Sequence, residues 1–252
     1  MRLALHQSGE VGTRAGRILL AERSLRALGL IEKQPTEKDP RLEHVDVLAT
    51  YDALLTDADD PEPDVEMALT AGVGCVVWVD AEEVRDDYHE AFADAGLSLL
   101  TGCNVATGIA PSLAAHEVAA AANILDVTTA WTEPGTPRRR GEPLPFPEPV
   151  GSRWGEARVS DYADRSYVAR VAGPWAAAMA KVTGGSPAGV VTRIVGVSDL
   201  AVHLEALAFA AGAAIIAEAP AGSSRPADLA EQYLARALDA GLDVAAHTLD
   251  GN

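Results

Sequence analysis

At 252 residues, 48% hydrophobic and 23% charged, the chain has the make-up of a globular protein of one large or two modest domains. Its net charge of −17 disfavours nucleic acid and anionic membranes as partners by simple repulsion. No apolar run reaches the roughly 20 residues of a bilayer span and no charged-then-apolar leader precedes the first strand, so the cytoplasm is the expected compartment. The cysteines Cys75 and Cys103 lie far apart with no metal-type histidine spacing, which makes reduced structural thiols the expectation and a metal site unexpected.

The chain is organised around its opening stretch. Arg2 to His6 is an apolar run with polar ends, the pattern of a strand buried on both faces. Ser8-Gly9-Glu10-Val11-Gly12 follows as a tight turn. Ala15, Ile18, Leu19, Leu25 and Leu28 then recur at helical spacing, with Gly29 placed as the helix stop and Leu30-Ile31 as the start of the next strand. A backbone that must approach a diphosphate cannot carry a side chain at Gly9. The helix N-terminus beyond Gly12 would offer amides and a partial positive charge to the phosphates. Glu32, twenty residues after Gly12, stands where an acid accepts hydrogen bonds from the adenosine ribose. The fingerprint lacks its usual first glycine, because His6 stands three residues before Gly9.

Further along, Lys33 to Leu42 reads as a surface loop. Val45–Ala49 and Ala53–Thr56 read as short strands, the second closed by the turn Asp57-Ala58-Asp59-Asp60-Pro61. A helix over Pro63–Ala71 ends at Gly72, and Val73–Val79 is a β-branched run that suits a buried parallel strand. Glu82–Ala95 is helical, Leu97–Leu100 a strand, Thr101-Gly102-Cys103-Asn104 a loop, and Pro111–Ile124 an alanine-rich helix. Strands alternating with helices predict an α/β fold, a doubly wound (Rossmann) parallel sheet whose ligands bind beyond the carboxyl ends of its strands. From Val127 the pattern changes to strands at Val127–Trp131, Tyr167–Val171 and Gly189–Val197, a short helix at Trp175–Val182, and long helices at Leu200–Ala217 and Arg225–Ala240. Glu133 to Gly155 reads as a long loop without regular structure. The expected division is a dinucleotide-binding domain over 1–125 and a smaller α+β domain for substrate binding and oligomerisation over 126–252, its last helix free to pack back on the first domain. The apolar helix at Leu200–Ala217 predicts a homo-oligomer, a dimer or tetramer.

Several landmarks resemble the bacterial dihydrodipicolinate reductases. Gly9-Glu10-Val11-Gly12 looks like their glycine turn. Asp57-Ala58-Asp59-Asp60-Pro61 with Met67-Ala68-Leu69-Thr70-Ala71-Gly72 resembles their strand-four loop and following helix. Thr101 to Gly108 is similar to their loop facing the nicotinamide, and Phe209 to Ala214 to their late helix. Oxidoreductases acting on homoserine, aspartate or sugars share the first domain. The resemblance implies a Rossmann scaffold and a nicotinamide cofactor. It does not imply lysine-biosynthetic reductase activity, because that family's paired histidine followed by lysine is replaced here by Ala130 to Arg140, which holds neither residue type.

The candidate cofactor-binding residues are therefore Gly9, Glu10, Val11, Gly12, Glu32, Asp57, Ala58, Gly102 and Asn104. Asp57 and Ala58 are placed on the nicotinamide-ribose side. Gly102 and Asn104 are placed on the carboxamide, unless Asn104 only supports its own loop. Glu32 favours NAD over NADP by repelling a 2′-phosphate, although Lys33 beside it would reverse this by pointing in. For the substrate, Arg138 and Arg139 of the triplet Arg138–Arg140 are candidates, since a guanidinium grips a carboxylate bidentately; the alternative is a solvated loop flank. Glu133 is the nearest carboxylate able to move a proton, with Tyr162 or Tyr167 as other donors. The expected activity is hydride transfer between NAD(P) and a small carboxylate-bearing carbonyl or imine, with a nucleotide-binding sensor lacking redox turnover as the alternative.

Overall fold

The computed structural model describes residues 1–31, 38–121, 123–146, 148, 150–159, 161–184, 190–198 and 201–249. The chain runs β1 (Arg2–His6), α1 (Glu10–Ala21), β2 (Ala27–Leu30), β3 (Leu42–His44), β4 (Ala53–Thr56), α2 (Glu62–Ala71), β5 (Gly74–Val77), α3 (Glu82–Asp94) and β6 (Ser98–Leu100). After a π-helical turn at Val105–Ile109 come α4 (Ala110–Ala120), β7 (Ile124–Pro134), β8 (Glu142–Pro145), β9 (Ser152–Arg158), β10 (Arg165–Val171) and β11 (Ala176–Gly184). The chain closes with β12 (Val190–Ser198), α5 (Ala201–Ile215), β13 (Gly222–Ser224), α6 (Ala230–Asp239) and β14 (Val244–Leu249). Two compact units result, Met1–Asn104 with Glu205–Pro226 and Val105–Leu204 with Ala227–Asn252. This division differs from a single cut at 125/126: α4 belongs to the second unit, most of α5 returns to the first, and α6 stays with the second.

The first unit is the expected doubly wound sheet. Its strands lie in the order β13-β6-β5-β4-β1-β2-β3, all parallel. The three-two-one-four-five-six core of that order is the one that places a ligand crevice between the carboxyl ends of β1 and β4. Buried on both faces, β1, β4 and β5 are near-continuous apolar runs. One face carries α2 and α3, where Ala4, Leu54, Val65, Ala68, Cys75, Val77, Phe92 and Leu99 form a core. On the other, α1 buries Gly12, Ala15, Gly16 and Leu19, spaced one helical turn apart. At Gly72 the backbone is left-handed, φ 71°, and its amide closes on the carbonyls of Ala68 and Leu69; this ends α2 where the sequence places the stop.

Several sequence-based boundaries are corrected. The helix after the turn ends at Ala21, not near Leu28, and Gly29 is no helix stop but lies inside β2. Leu28 and Leu30 belong to a strand buried at all four positions, so their spacing reflected sheet burial. Gly29 is there because Tyr51 presses on it: a Cβ would come 2.5 Å from the Tyr51 hydroxyl. The strand expected at Val45–Ala49 is replaced by β3 just before it and a 3-10 turn at Leu48–Thr50.

Tyr51 yields a pH prediction. It is 6% exposed, donates to Glu43 Oε1 at 2.8 Å, and has the Arg2 guanidinium 5.0 Å from its ring centroid. Burial, and then the Glu43 carboxylate, push its phenol up from 10.0 to about 12. A folded-state value above the unfolded one means the contribution is whole below pH 10 and lost as pH rises towards about 12. Alkaline titration followed by near-ultraviolet absorbance is expected to show a late tyrosine coincident with unfolding, absent in Tyr51→Phe.

The second unit holds a mixed sheet in the order β14-β12-β11-β7-β10-β9-β8, with β7 and β10 parallel and the other pairs antiparallel. The short helix expected at Trp175–Val182 is instead the central strand β11, paired with β7 and β12. Its run of alanines suggested a helix, but those small side chains are buried in the sheet, Ala177, Ala178 and Ala180 at 0% exposure. The expected structureless segment Glu133–Gly155 contains β8 and the start of β9. The last apolar tail is β14, paired along β12. Ala201–Glu218 is apolar enough by length and composition to cross a bilayer, but 61% of it is buried inside the protein, so its hydrophobicity is that of a core helix.

Candidate functional site

Parallel pairing of β1 with β4 sets His6 beside Thr56, so the loops leaving these two strands emerge side by side. From the first loop Ser8 and Gly9 lead into α1, with Gly9 as N-cap. From the second, Asp57 turns back towards them. Its Oδ1 accepts from the Ser8 amide at 2.6 Å and the Ser8 hydroxyl at 3.0 Å. Its Oδ2 accepts from the amides of Gly9 at 3.0 Å and Gly12 at 2.7 Å. The Ser8 hydroxyl also lies 2.7 Å from the Asp57 carbonyl, which it can serve as donor. Asp57, 4% exposed, thus caps α1 from across the sheet. Gly12 is obligatory in this packing, because a Cβ there would sit 2.8 Å from the Asp57 carboxylate.

Beneath the turn lies a second polar cluster, which the sequence reading missed. His6 Nδ1 is 2.8 and 2.9 Å from the two oxygens of Asp64, in the first turn of α2. The buried Thr56 hydroxyl donates to Asp64 Oδ2 and accepts from the Ala58 amide at 3.2 Å. The ring of His6 is therefore drawn towards α2. The only sequence signal for it was a histidine standing where the glycine fingerprint expects glycine.

The remaining candidates separate into three sets. Glu32 and Lys33 lie outside the described residues. Gly102 and Asn104 are part of a shelf past β6: Gly102, φ 76°, donates to the Val79 carbonyl at 2.9 Å, and Asn104 Nδ2 donates to the Trp78 carbonyl at 3.0 Å. Asn104 thus ties the loop after β6 to the segment just past β5. Behind the shelf, burial raises the thiols of Cys75 and Cys103 well above the ordinary cysteine range, so neither is a poised nucleophile. In the first unit α5 packs so closely there that a Cβ on Gly212 would lie 2.4 Å from Cys103 Sγ.

Glu133, Arg138 and Arg139 lie in the second unit. Glu133 is held by Arg170 at 2.8 Å, and Arg138, 70% exposed, by Glu156 at 3.3 Å. Arg139 and Arg140 are exposed. No group of three or more His, Cys, Asp or Glu side chains that would hold a metal occurs among the described residues.

The turn suits a dinucleotide in two respects and opposes it in one. Gly9 presents bare backbone, and the first-turn amides of Glu10 and Val11 have no acceptor within the helix and meet none among the described residues. Glu10 keeps its side chain engaged with Arg14, at 2.9 Å. Against this, the Asp57 carboxylate holds the neighbouring amides with a negative charge.

No protein-family model matches the sequence, and neither does any curated protein. Solved structures do match in fold. Saccharopine dehydrogenase (L-Glu forming) from Saccharomyces cerevisiae superposes with a TM-score of 0.69 at 8% identity, over 98% of this chain and 99% of that one. Dipicolinate-bound dihydrodipicolinate reductase from Paenisporosarcina sp. TG-14 gives 0.55 at 13% identity, over 89% and 97%. An engineered D-amino acid dehydrogenase bound to NADP+ gives 0.53 at 15% identity, over 90% and 93%. The likeness drawn from the sequence is met at the level of the fold: a Rossmann-like parallel sheet joined to a second unit with a mixed sheet.

Proposed function

We propose that the chain is an NAD(P)-dependent oxidoreductase that moves hydride to or from a small carboxylate-bearing carbonyl or imine other than dihydrodipicolinate. The observation that carries this reading is the turn from Ser8 to Gly12, set between the carboxyl ends of β1 and β4 with the amides of Glu10 and Val11 open. The dehydrogenase and reductase neighbours support it through the fold they share with the chain.

A bound nicotinamide would supply the hydride chemistry, and the chain's residues would position it. Gly9, Glu10 and Val11 hold the diphosphate through backbone amides. Gly102 and Ala58 shape the far end of the crevice. The exposed guanidiniums of Arg139 and Arg140 are suited to gripping a substrate carboxylate. Glu133 has to part from Arg170 before it can take or give a proton.

NADH and NADPH titrated against the protein by nicotinamide fluorescence are expected to bind with Kd between about 1 μM and 1 mM. Hydride exchange with a panel of keto and imino acids is expected to follow. Failure of both cofactors to bind at millimolar levels removes the proposal. A second reading, a nucleotide-binding regulator without turnover, draws on the engagement of Glu133 and Arg138 in ion pairs of their own; binding without exchange on any substrate is its signature.

A further inference from the structure

We infer that Asp57 is a resident anion in the diphosphate seat, and that a dinucleotide reaches the Gly9 amide only by displacing it. This rests on the dinucleotide reading above. The amides that a diphosphate seeks at a glycine turn are backbone donors at the close-approach glycine and the start of the following helix. Here Asp57 takes the donors of Ser8, Gly9 and Gly12, all within 3.0 Å, and a fourth bond comes from the Ser8 hydroxyl. With 4% of its surface exposed, the carboxylate is fixed in the seat. Its charge neutralises the positive end of α1, the very feature that draws phosphate to such turns. A diphosphate arriving at Glu10 and Val11 therefore meets a spent helix terminus and a like charge next to it.

Asp57 is in consequence an affinity- and specificity-determining residue for the cofactor. It penalises ligands by the charge they bring to the turn and leaves the recognition of adenosine alone. The swap is feasible in structure, because Ser8 and Gly9 lie at the surface and need only exchange one anionic acceptor for another. The hydroxyl of Ser8 can keep its bond to the Asp57 carbonyl, so the two loops stay joined while the carboxylate swings out.

The experiment compares the full-length wild type with Asp57→Asn, which keeps one of the two acceptor oxygens, and Asp57→Ser, which keeps a shorter hydroxyl; both remove the charge. Kd is measured for NADH, ADP-ribose and adenosine, with thermal unfolding and near-ultraviolet circular dichroism to confirm folding. The charge-free variants are expected to bind NADH and ADP-ribose at least tenfold more tightly and adenosine with unchanged affinity. In the wild type, saturating ADP-ribose is expected to shift the amide resonances of Ser8, Gly9 and Gly12, as the carboxylate leaves them. This second measurement stands even where a variant fails to fold.

Unchanged or weaker NADH binding by folded variants overturns the inference, as do unmoved amide resonances, and hydride exchange by the wild type would still uphold the oxidoreductase reading. Tighter binding with no exchange on any substrate supports the inference and sinks the oxidoreductase reading. Absence of dinucleotide binding in all three proteins overturns both.

Discussion

Gly12→Val is expected to lower the stability of the first unit by about 3–5 kcal/mol and to abolish nicotinamide-dinucleotide binding. A Cβ at this position lies 2.8 Å from both Cγ and Oδ2 of Asp57, a distance that Cβ atoms essentially never adopt, and 3.0 Å from Oδ1. The obstacle is a carboxylate tied down by four hydrogen bonds, three from Ser8 and Gly9 and one from the Gly12 amide itself, and not the free end of a flexible chain. Either α1 moves off the sheet, or Asp57 is expelled and the amides of Ser8, Gly9 and Gly12 lose a charged acceptor together. Hydrogen bonds to charged groups contribute about 1.5–3 kcal/mol each, and these share one acceptor, so the losses do not simply add. A better helix former than glycine returns at most about 1 kcal/mol. Urea unfolding of Gly12→Ala, Gly12→Val and the pair Gly12→Ala/Asp57→Ser measures the effect. The double variant is expected to recover more than 1 kcal/mol of the alanine's cost, because removing the carboxylate removes the obstacle. Equal costs with and without Asp57 would show that the carboxylate is not what excludes a side chain.

Much of the first unit was legible because its order is local. The run Arg2–His6, the glycines at 9 and 12, and the left-handed stop at Gly72 each specify their backbone within a few residues. Leu54 and Leu55 on β4 and Val76 and Val77 on β5 show the unbroken apolarity that only a strand covered on both faces needs. What local pattern could not give was pairing. Asp57 was recognisable as a residue at the crevice, and its placement towards the nicotinamide ribose followed from loop order alone. That its carboxylate reaches back to cap α1 depends on the register of His6 with Thr56, a contact between residues fifty apart in sequence. The second unit misled for a related reason. A stretch such as Ala176-Ala177-Ala178-Met179-Ala180 scores as helix on intrinsic preference, and its fate as a central strand is decided by β7 and β12 on either side. Gly29 likewise resembled a helix stop until Tyr51, twenty-two residues later, supplied the reason for a missing side chain.

The cluster below the turn carries the other large effect. Asp64→Ala is expected to cost about 2–4 kcal/mol and to loosen the turn above it, whereas Asp64→Asn costs about half as much. Asp64 joins three elements: His6 at the end of β1 through two contacts of 2.8 and 2.9 Å, Thr56 at the end of β4, and its own helix α2. Its place in the first turn of α2 suits a carboxylate, because that helix terminus is positive. Alanine leaves the Thr56 hydroxyl, at 0% exposure, without its acceptor, and the His6 ring facing a void. A buried hydroxyl stripped of its acceptor costs about 1–3 kcal/mol, and the half-buried His6 loses two contacts besides. Asparagine keeps an oxygen for Thr56 and loses the charge and one of the two oxygens facing His6. Because His6 and Thr56 are the last residues of β1 and β4, the loss is transmitted to the two loops that hold Ser8 and Asp57 in register. Hydrogen exchange at the Ser8, Gly9 and Gly12 amides therefore has to accelerate in Asp64→Ala more than in Asp64→Asn. If those amides exchange at the wild-type rate while global stability falls, the cluster supports α2 alone and the turn is built without it.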